Sequence, residues 1–180
     1  EMIDEARWSK DDAERTRDGI DIDTLELGKK ERAGLTLCKS WAAMQAIARF
    51  GGGEALERGV KRAIEASAAV GLLVVDGVTP RHFFDGGRAL QRLWLTSARD
   101  GLSLQPLSAL PYLFARLLRG GGEELAPKQC QQLEVLRGEY ERVLPVRREH
   151  GELLLFRLGE APAPTTRALR RHVEDVLRFL

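Results

Sequence analysis

Glycine and proline cut this chain into short periodic segments, and that punctuation limits the folds open to it. Two triple-glycine runs, Gly51-Gly52-Gly53 and Gly120-Gly121-Gly122, interrupt apolar helical patterns. They read as helix stops, because glycine reaches left-handed backbone at no steric cost. Between the breaks, apolar residues recur at every third or fourth position, as on a helix that buries one face. Leu37, Trp41, Met44, Ile47 and Ala48 form one such face over 35–50, and Leu56, Val60, Ile64 and Ala68 a second over 54–69. Asp85 is placed to cap a third helix over 86–100, with Leu90, Leu93, Trp94, Leu95 and Ala98 as its apolar set and Gly101 behind it. Pro111 and Pro127 open two more, and Leu169, Val173, Val176, Leu177 and Leu180 give a last helix over 167–180. Two runs break the helical period. Residues 71–75 are a short apolar run that ends in β-branched Val74-Val75 and is stopped by Asp76-Gly77, and residues 152–158 contain Leu153-Leu154-Leu155-Phe156. Both read as buried strands, and 102–107 as a short extended segment. The expected class is α+β, helix-rich with a small central sheet, not a regular βαβ alternation.

The core can be built without staples. Apolar types make up 43% of 180 residues, and a chain of this size buries roughly two thirds of its unfolded surface. Basic and acidic residues number 28 and 27, for a net charge of +1. That balance argues against intrinsic disorder and against a polyanion-binding surface spread over the whole molecule, leaving room only for a local basic patch, and no nucleic-acid partner is expected. Cys38 and Cys130 are too few for a disulfide scaffold and read as small buried side chains. His82, His150 and His172 stand apart, so no metal site is expected. Apolar runs such as Val70–Val75 fall far short of a membrane span, and the acidic start lacks a signal-peptide core. A soluble, cytoplasmic protein is the expectation. The chain begins on Glu1, which suggests a piece of something longer. Residues 1–31 are polar, with turn chemistry at Asp18-Gly19 and over 21–24 and a charged helical stretch over 10–15. They read as a surface arm or lid, and 32–180 as the domain proper. Trp8 and Trp41 read as packing residues.

Signatures of common chemistries are missing. There is no Gly-x-Ser-x-Gly elbow, no HExxH, and no GxGxxG turn between strand and helix. Spacing alone selects no acid/base pair from 27 carboxylates, so no catalytic residue is nominated. The informative segment is 87–111, where a helix of small and apolar residues runs into Gly101-Leu102 and then Ser103-Leu104-Gln105-Pro106. A second is Leu154-Leu155-Phe156-Arg157-Leu158-Gly159-Glu160-Ala161-Pro162, and a third is Arg170-Arg171-His172-Val173-Glu174-Asp175-Val176. In this order they resemble the nitroreductase family over roughly 60–177: the helix and proline-ended strand, the last core strand, and a basic tail.

The resemblance implies an α+β homodimer that binds FMN. It passes hydride or electrons from a nicotinamide nucleotide to a small-molecule acceptor. It places the backbone of Pro106, Leu107, Ser108 and Ala109 against the flavin ring and Arg167, Arg170 and Arg171 at the phosphate. A planar guanidinium suits a doubly charged phosphate. The family's amino-terminal arginine motif has no clear match, and Arg15-Thr16-Arg17 is only an echo of it. The domain is therefore expected to be incomplete on that side. Such domains also occur fused to an adenylating domain of the ubiquitin-activating type. The missing motif leaves an alternative, a flavin-free nitroreductase-like module for dimerisation or partner binding. An unrelated helical regulatory domain is a third. The same arginines also read as the solvated face of a C-terminal helix.

Overall fold

The computed structural model describes residues 5–49, 53–144, 146–147 and 149–178. Gly51, Gly52 and Leu180, and the side chains of Ala48 and Leu56, lie outside that set. The chain forms two compact units, one from Glu1–Gly59 with Pro162–Leu180 and the other from Val60–Ala161. No helix among the described residues is long and apolar enough to cross a membrane.

In the first unit, β1 (Ala6–Arg7) and β2 (Ile20–Asp21) pair in parallel, with α1 (Lys10–Thr16) between them. Ser9 caps α1 by accepting the Asp12 amide at 3.2 Å, and two acidic residues sit in its first turn, where the helix dipole favours them. Gly19 turns the chain into β2 at φ +73°, and a Cβ there would lie 2.5 Å from the Glu5 carbonyl oxygen. Ala6, Ala13 and Ile22 are buried, so residues 6–25 form a small folded element.

The single helix expected over 35–50 is two, α2 (Lys29–Leu37) and α3 (Trp41–Arg49). Ser40 breaks it: its hydroxyl accepts the Ala43 amide at 3.3 Å and its carbonyl the Met44 amide at 2.9 Å. The expected buried face is open, with Trp41 75% and Leu37 57% exposed. Trp41 is therefore not a packing residue within this unit. Trp8 instead lies under the Lys39 ammonium, 3.7 Å from its ring centre. The boundary between the units falls within α4 (Gly53–Glu65).

The second unit is built on an antiparallel sheet in the order β3 (Ala69–Val75), β5 (Gly151–Gly159), β4 (Ser103–Pro106). Its helices are α5 (Pro80–Arg99), α6 (Ala109–Arg119) and α7 (Pro127–Val143), and its central strand is β5 (Gly151–Gly159). Alternation along β5 makes the core two-sided. Leu154 and Phe156 join Leu104, with Leu73, Leu90 and Leu93 around them. Leu155 points the other way and packs with Phe114, Leu133 and Tyr140. Thus α5 covers one face of the sheet and α6 and α7 the other. A central strand buried on both faces reads as continuous leucine, as this one does.

Two helix starts differ from expectation. Thr79 caps α5, with Pro80 at its first position, so Asp85 lies inside the helix and pairs with Arg81 at 2.9 Å. Helix α6 starts at Ala109, two residues before Pro111. The expected strands are in place, although β3 is half-buried rather than buried. Gly101 (φ +77°) and Gly120–Gly122 end their helices as expected.

The C-terminal helix expected over 167–180 shrinks to one turn, α8 (Val173–Val176), with no buried residue. A short helix with no packed face lacks the tertiary contacts that stabilise most helices.

Candidate functional site

The turn from β4 to α6 carries Pro106, Leu107, Ser108 and Ala109. Pro106 sits opposite Phe156 on β5. One residue later, the Leu107 amide donates to the Leu155 carbonyl at 2.7 Å, holding the chain to the sheet past the end of the strand. Leu110, Leu113 and Phe114 then anchor α6 in the core. The backbone geometry divides the four residues. Proline has no N–H, and the Leu107 amide is engaged, so the available donors are the amides of Ser108 and Ala109. Both residues are exposed and stand at the start of α6, where the first amides have no partner within the helix. The Ser108 hydroxyl makes no capping bond, and the first helical bond runs from the Tyr112 amide to the Ser108 carbonyl at 3.1 Å.

Arg167, Arg170 and Arg171 belong to the first unit. All three are exposed on an irregular segment, not on a helix face. The Arg170 carbonyl accepts from Arg17 Nε at 2.8 Å, and Arg170 Nη1 turns to the Leu169 carbonyl at 3.4 Å. Arg171 acts electrostatically on Asp18, whose carboxyl is held below its usual range mainly by a hydrogen bond from Arg7 at 2.9 Å. In the sequence Arg17 is only part of the Arg15-Thr16-Arg17 echo. The structure brings it to Arg170 across 153 positions, a separation that no local pattern reveals. Arg15 pairs with Asp12 at 2.5 Å.

Two clefts lie in the second unit. One, of about 330 Å³, runs along β3 and α5 past Val75, Asp76, His82, Asp85 and Gly86. The other, of about 180 Å³, opens at the ends of β4 and β5 beside Ser103, Gln105, Arg157 and Gly159. Neither is lined by residues 106–109. Asp85 in the first and Arg157 in the second are already engaged. The hydrogen bond from Arg81 holds the Asp85 carboxyl below its usual range. Arg157 donates to Gln105 at 2.5 Å and to the Ala63 carbonyl at 2.7 Å.

Sequence reasoning also missed a buried ion cluster behind β5. Arg137 is 3% exposed and bonds Glu141 at 2.6 Å and Glu152. It stacks 5.0 Å from the centre of the Phe114 ring and 5.3 Å from that of Tyr140. Among the described residues, no group of three or more His, Cys, Asp or Glu side chains could hold a metal ion. Cys38 and Cys130 are free thiols and half-buried rather than buried.

No family model matches the chain, and no solved structure matches it. A Mycobacterium tuberculosis (strain CDC 1551 / Oshkosh) protein described as "Uncharacterized protein MT1398" is 33% identical over 171 residues, covering 95% of this chain and 23% of the relative. The chain thus spans about a quarter of the length of the curated relative that it matches.

Proposed function

We propose that this chain is part of an FMN-dependent oxidoreductase of the nitroreductase type, carrying hydride or electrons from a nicotinamide nucleotide to a small-molecule acceptor. The observation that carries this reading is the β4–α6 turn. A proline-ended strand is held to the core by Leu107, and the Ser108 and Ala109 amides stand exposed beyond it. Backbone donors at the start of a helix, beside a strand tied to the core, suit the polar edge of a flavin ring. In the first unit, Arg170 and Arg171 beside Arg17 suit a phosphate. Bound FMN would supply the redox chemistry. The chain's own part is to hold the ring by backbone donors and to neutralise the phosphate, with no side chain assigned as acid or base. The reading carries a homodimer with it, and a cytoplasmic setting.

The test is FMN uptake by purified protein. Arg170→Ala is expected to weaken FMN binding about ten- to a hundredfold, the scale of one charged hydrogen bond. Arg167→Ala should weaken it less, and Arg178→Ala not at all. A colourless protein that takes up no added FMN rejects the reading. Equal affinity in all three variants rejects the phosphate role. A second reading, a flavin-free module for dimerisation or partner binding, is favoured by one observation: neither cleft is lined by the turn residues.

A further inference from the structure

Strand alternation builds the smaller cleft of the second unit. Ser103 and Gln105 share one face of β4, and their register partners on β5 are Gly159 and Arg157. Gly159 sets no side chain opposite Ser103, and the cleft of about 180 Å³ opens there. Arg157 lines it, half-buried and held through two of its nitrogens. Nε donates to Gln105 Oε1 at 2.5 Å. Nη1 donates to the Ala63 carbonyl at 2.7 Å and to the Ser67 hydroxyl at 3.3 Å. All three acceptors are neutral, and among the described residues Arg157 forms no ion pair. Arg137, by contrast, is matched by two carboxylates. A guanidinium only donates, so the Gln105 oxygen faces Arg157 and the Gln105 NH2 group remains as a donor. Arg157 Nη2 and the Ser103 hydroxyl complete a set of three donors with no acceptor among the described residues. Glu160 stands exposed at the edge of the cleft.

We propose that this cleft binds a small monocarboxylate. One carboxylate oxygen accepts from Arg157 Nη2, and the other from the Gln105 amide or the Ser103 hydroxyl. The guanidinium supplies a positive charge that no protein carboxylate matches, and charge-assisted bonds of this kind are the strong ones. Its bonds to Gln105, Ala63 and Ser67 fix it in advance, so little side-chain freedom is lost on binding. Glu160 repels a doubly charged anion more than a singly charged one, which disfavours phosphate. The volume is below that of sites for drug-sized ligands and suits a few heavy atoms. This inference does not rest on the flavin reading, and its test does not involve FMN.

The test is an NMR titration of the full chain with sodium acetate. Acetate should shift the backbone amides of Ser103, Gln105 and Gly159 saturably, with a Kd in the millimolar range. Acetamide, of the same shape without the charge, should not, and inorganic phosphate should bind more weakly than acetate. Arg157→Gln should weaken acetate binding about tenfold or more, the scale of one charged hydrogen bond. Gly159→Val leaves the bonds of Arg157 in place. A Cβ at Gly159 meets nothing closer than the Ala68 nitrogen at 3.6 Å, so this variant should fold and, by filling the cleft, lose acetate binding. Absence of a saturable acetate shift overturns the proposal. So does equal binding of acetamide, or a folded Arg157→Gln or Gly159→Val that binds acetate like the wild type. Phosphate binding more tightly than acetate overturns the assignment to a monocarboxylate.

Discussion

At Arg137, a buried guanidinium meets two carboxylates, and the balance decides what each partner contributes. Burial alone disfavours the charged form; the hydrogen bonds that Arg137 donates to Glu141 and Glu152 outweigh it and raise the Arg137 pKa. Breaking such a pair strands a buried charge, at a cost of about 3–5 kcal/mol. Arg137→Met should therefore lower unfolding stability by that order in denaturant titrations, and a second change, Glu152→Leu, should restore much of it. A double variant no more stable than Arg137→Met would show that the loss comes from packing on Phe114 and Tyr140. The Tyr140 hydroxyl is buried with no well-aligned hydrogen bond among the described residues. Tyr140→Phe should change stability by less than about 1 kcal/mol at neutral pH. Burial first, and then the Glu152 charge, push the Tyr140 pKa up. A raised folded pKa gives stability that is complete below the unfolded tyrosine value, about pH 10. That stability is lost as the pH rises toward the folded value. Loss of stability above pH 10 should be shallower in Tyr140→Phe, and identical slopes would refute the assignment.

Within α5, adjacent glycines face opposite environments. A Cβ on Gly86 would lie 2.8 Å from Val75 Cγ1 and 3.1 Å from Leu153 Cδ1, whereas one on Gly87 would meet nothing within 4 Å. Gly86→Ala should cost about 1–3 kcal/mol by overpacking. Gly87→Ala should stabilise by about 0.5–1 kcal/mol through helix propensity. Thermal unfolding of the two variants reads the difference, and equal shifts would place both positions on one face. The pair also shows which information the sequence carries. Periodicity announced α5 and β5, Gly101 marked the end of α5 and Pro127 the start of α7, because those signals are local. It did not show that Thr79 rather than Asp85 begins α5: both are capping types, and the choice depends on where the chain leaves β3. Nor did it show that the Leu37 and Trp41 face stands open, since an amphipathic pattern does not specify what covers it. Of the candidate site, the β4–α6 turn was visible as strand, proline and helix. The engaged Leu107 amide and the approach of Arg17 to Arg170 arise only from tertiary pairing.

At the scale of the molecule, the first unit is discontinuous, and its last segment must come back to it after Ala161. Among its described residues no side chain is buried, so hydrophobic burial there contributes little to holding it. Directed hydrogen bonds do the holding. Glu26 accepts from the Thr165 amide at 2.5 Å and from its hydroxyl at 2.9 Å, and Arg17 donates to the Arg170 carbonyl. Glu26→Ala removes two of these bonds and should speed tryptic cleavage after Arg167, Arg170 and Arg171, while cleavage within Val60–Ala161 stays unchanged. Glu26→Gln keeps one acceptor oxygen and should fall between. The Thr165 amide bond, and then the hydroxyl bond, hold the Glu26 carboxyl below its ordinary range. A depressed folded pKa gives stability that is complete above the unfolded carboxylate value and is lost as the pH falls through the folded one. Exchange protection at the Thr165 amide should therefore persist at neutral pH and fade only below about pH 4. Equal cleavage rates in wild type and Glu26→Ala would mean that the segment is held by something other than this clasp, and Arg17→Ala would then be the variant that frees it.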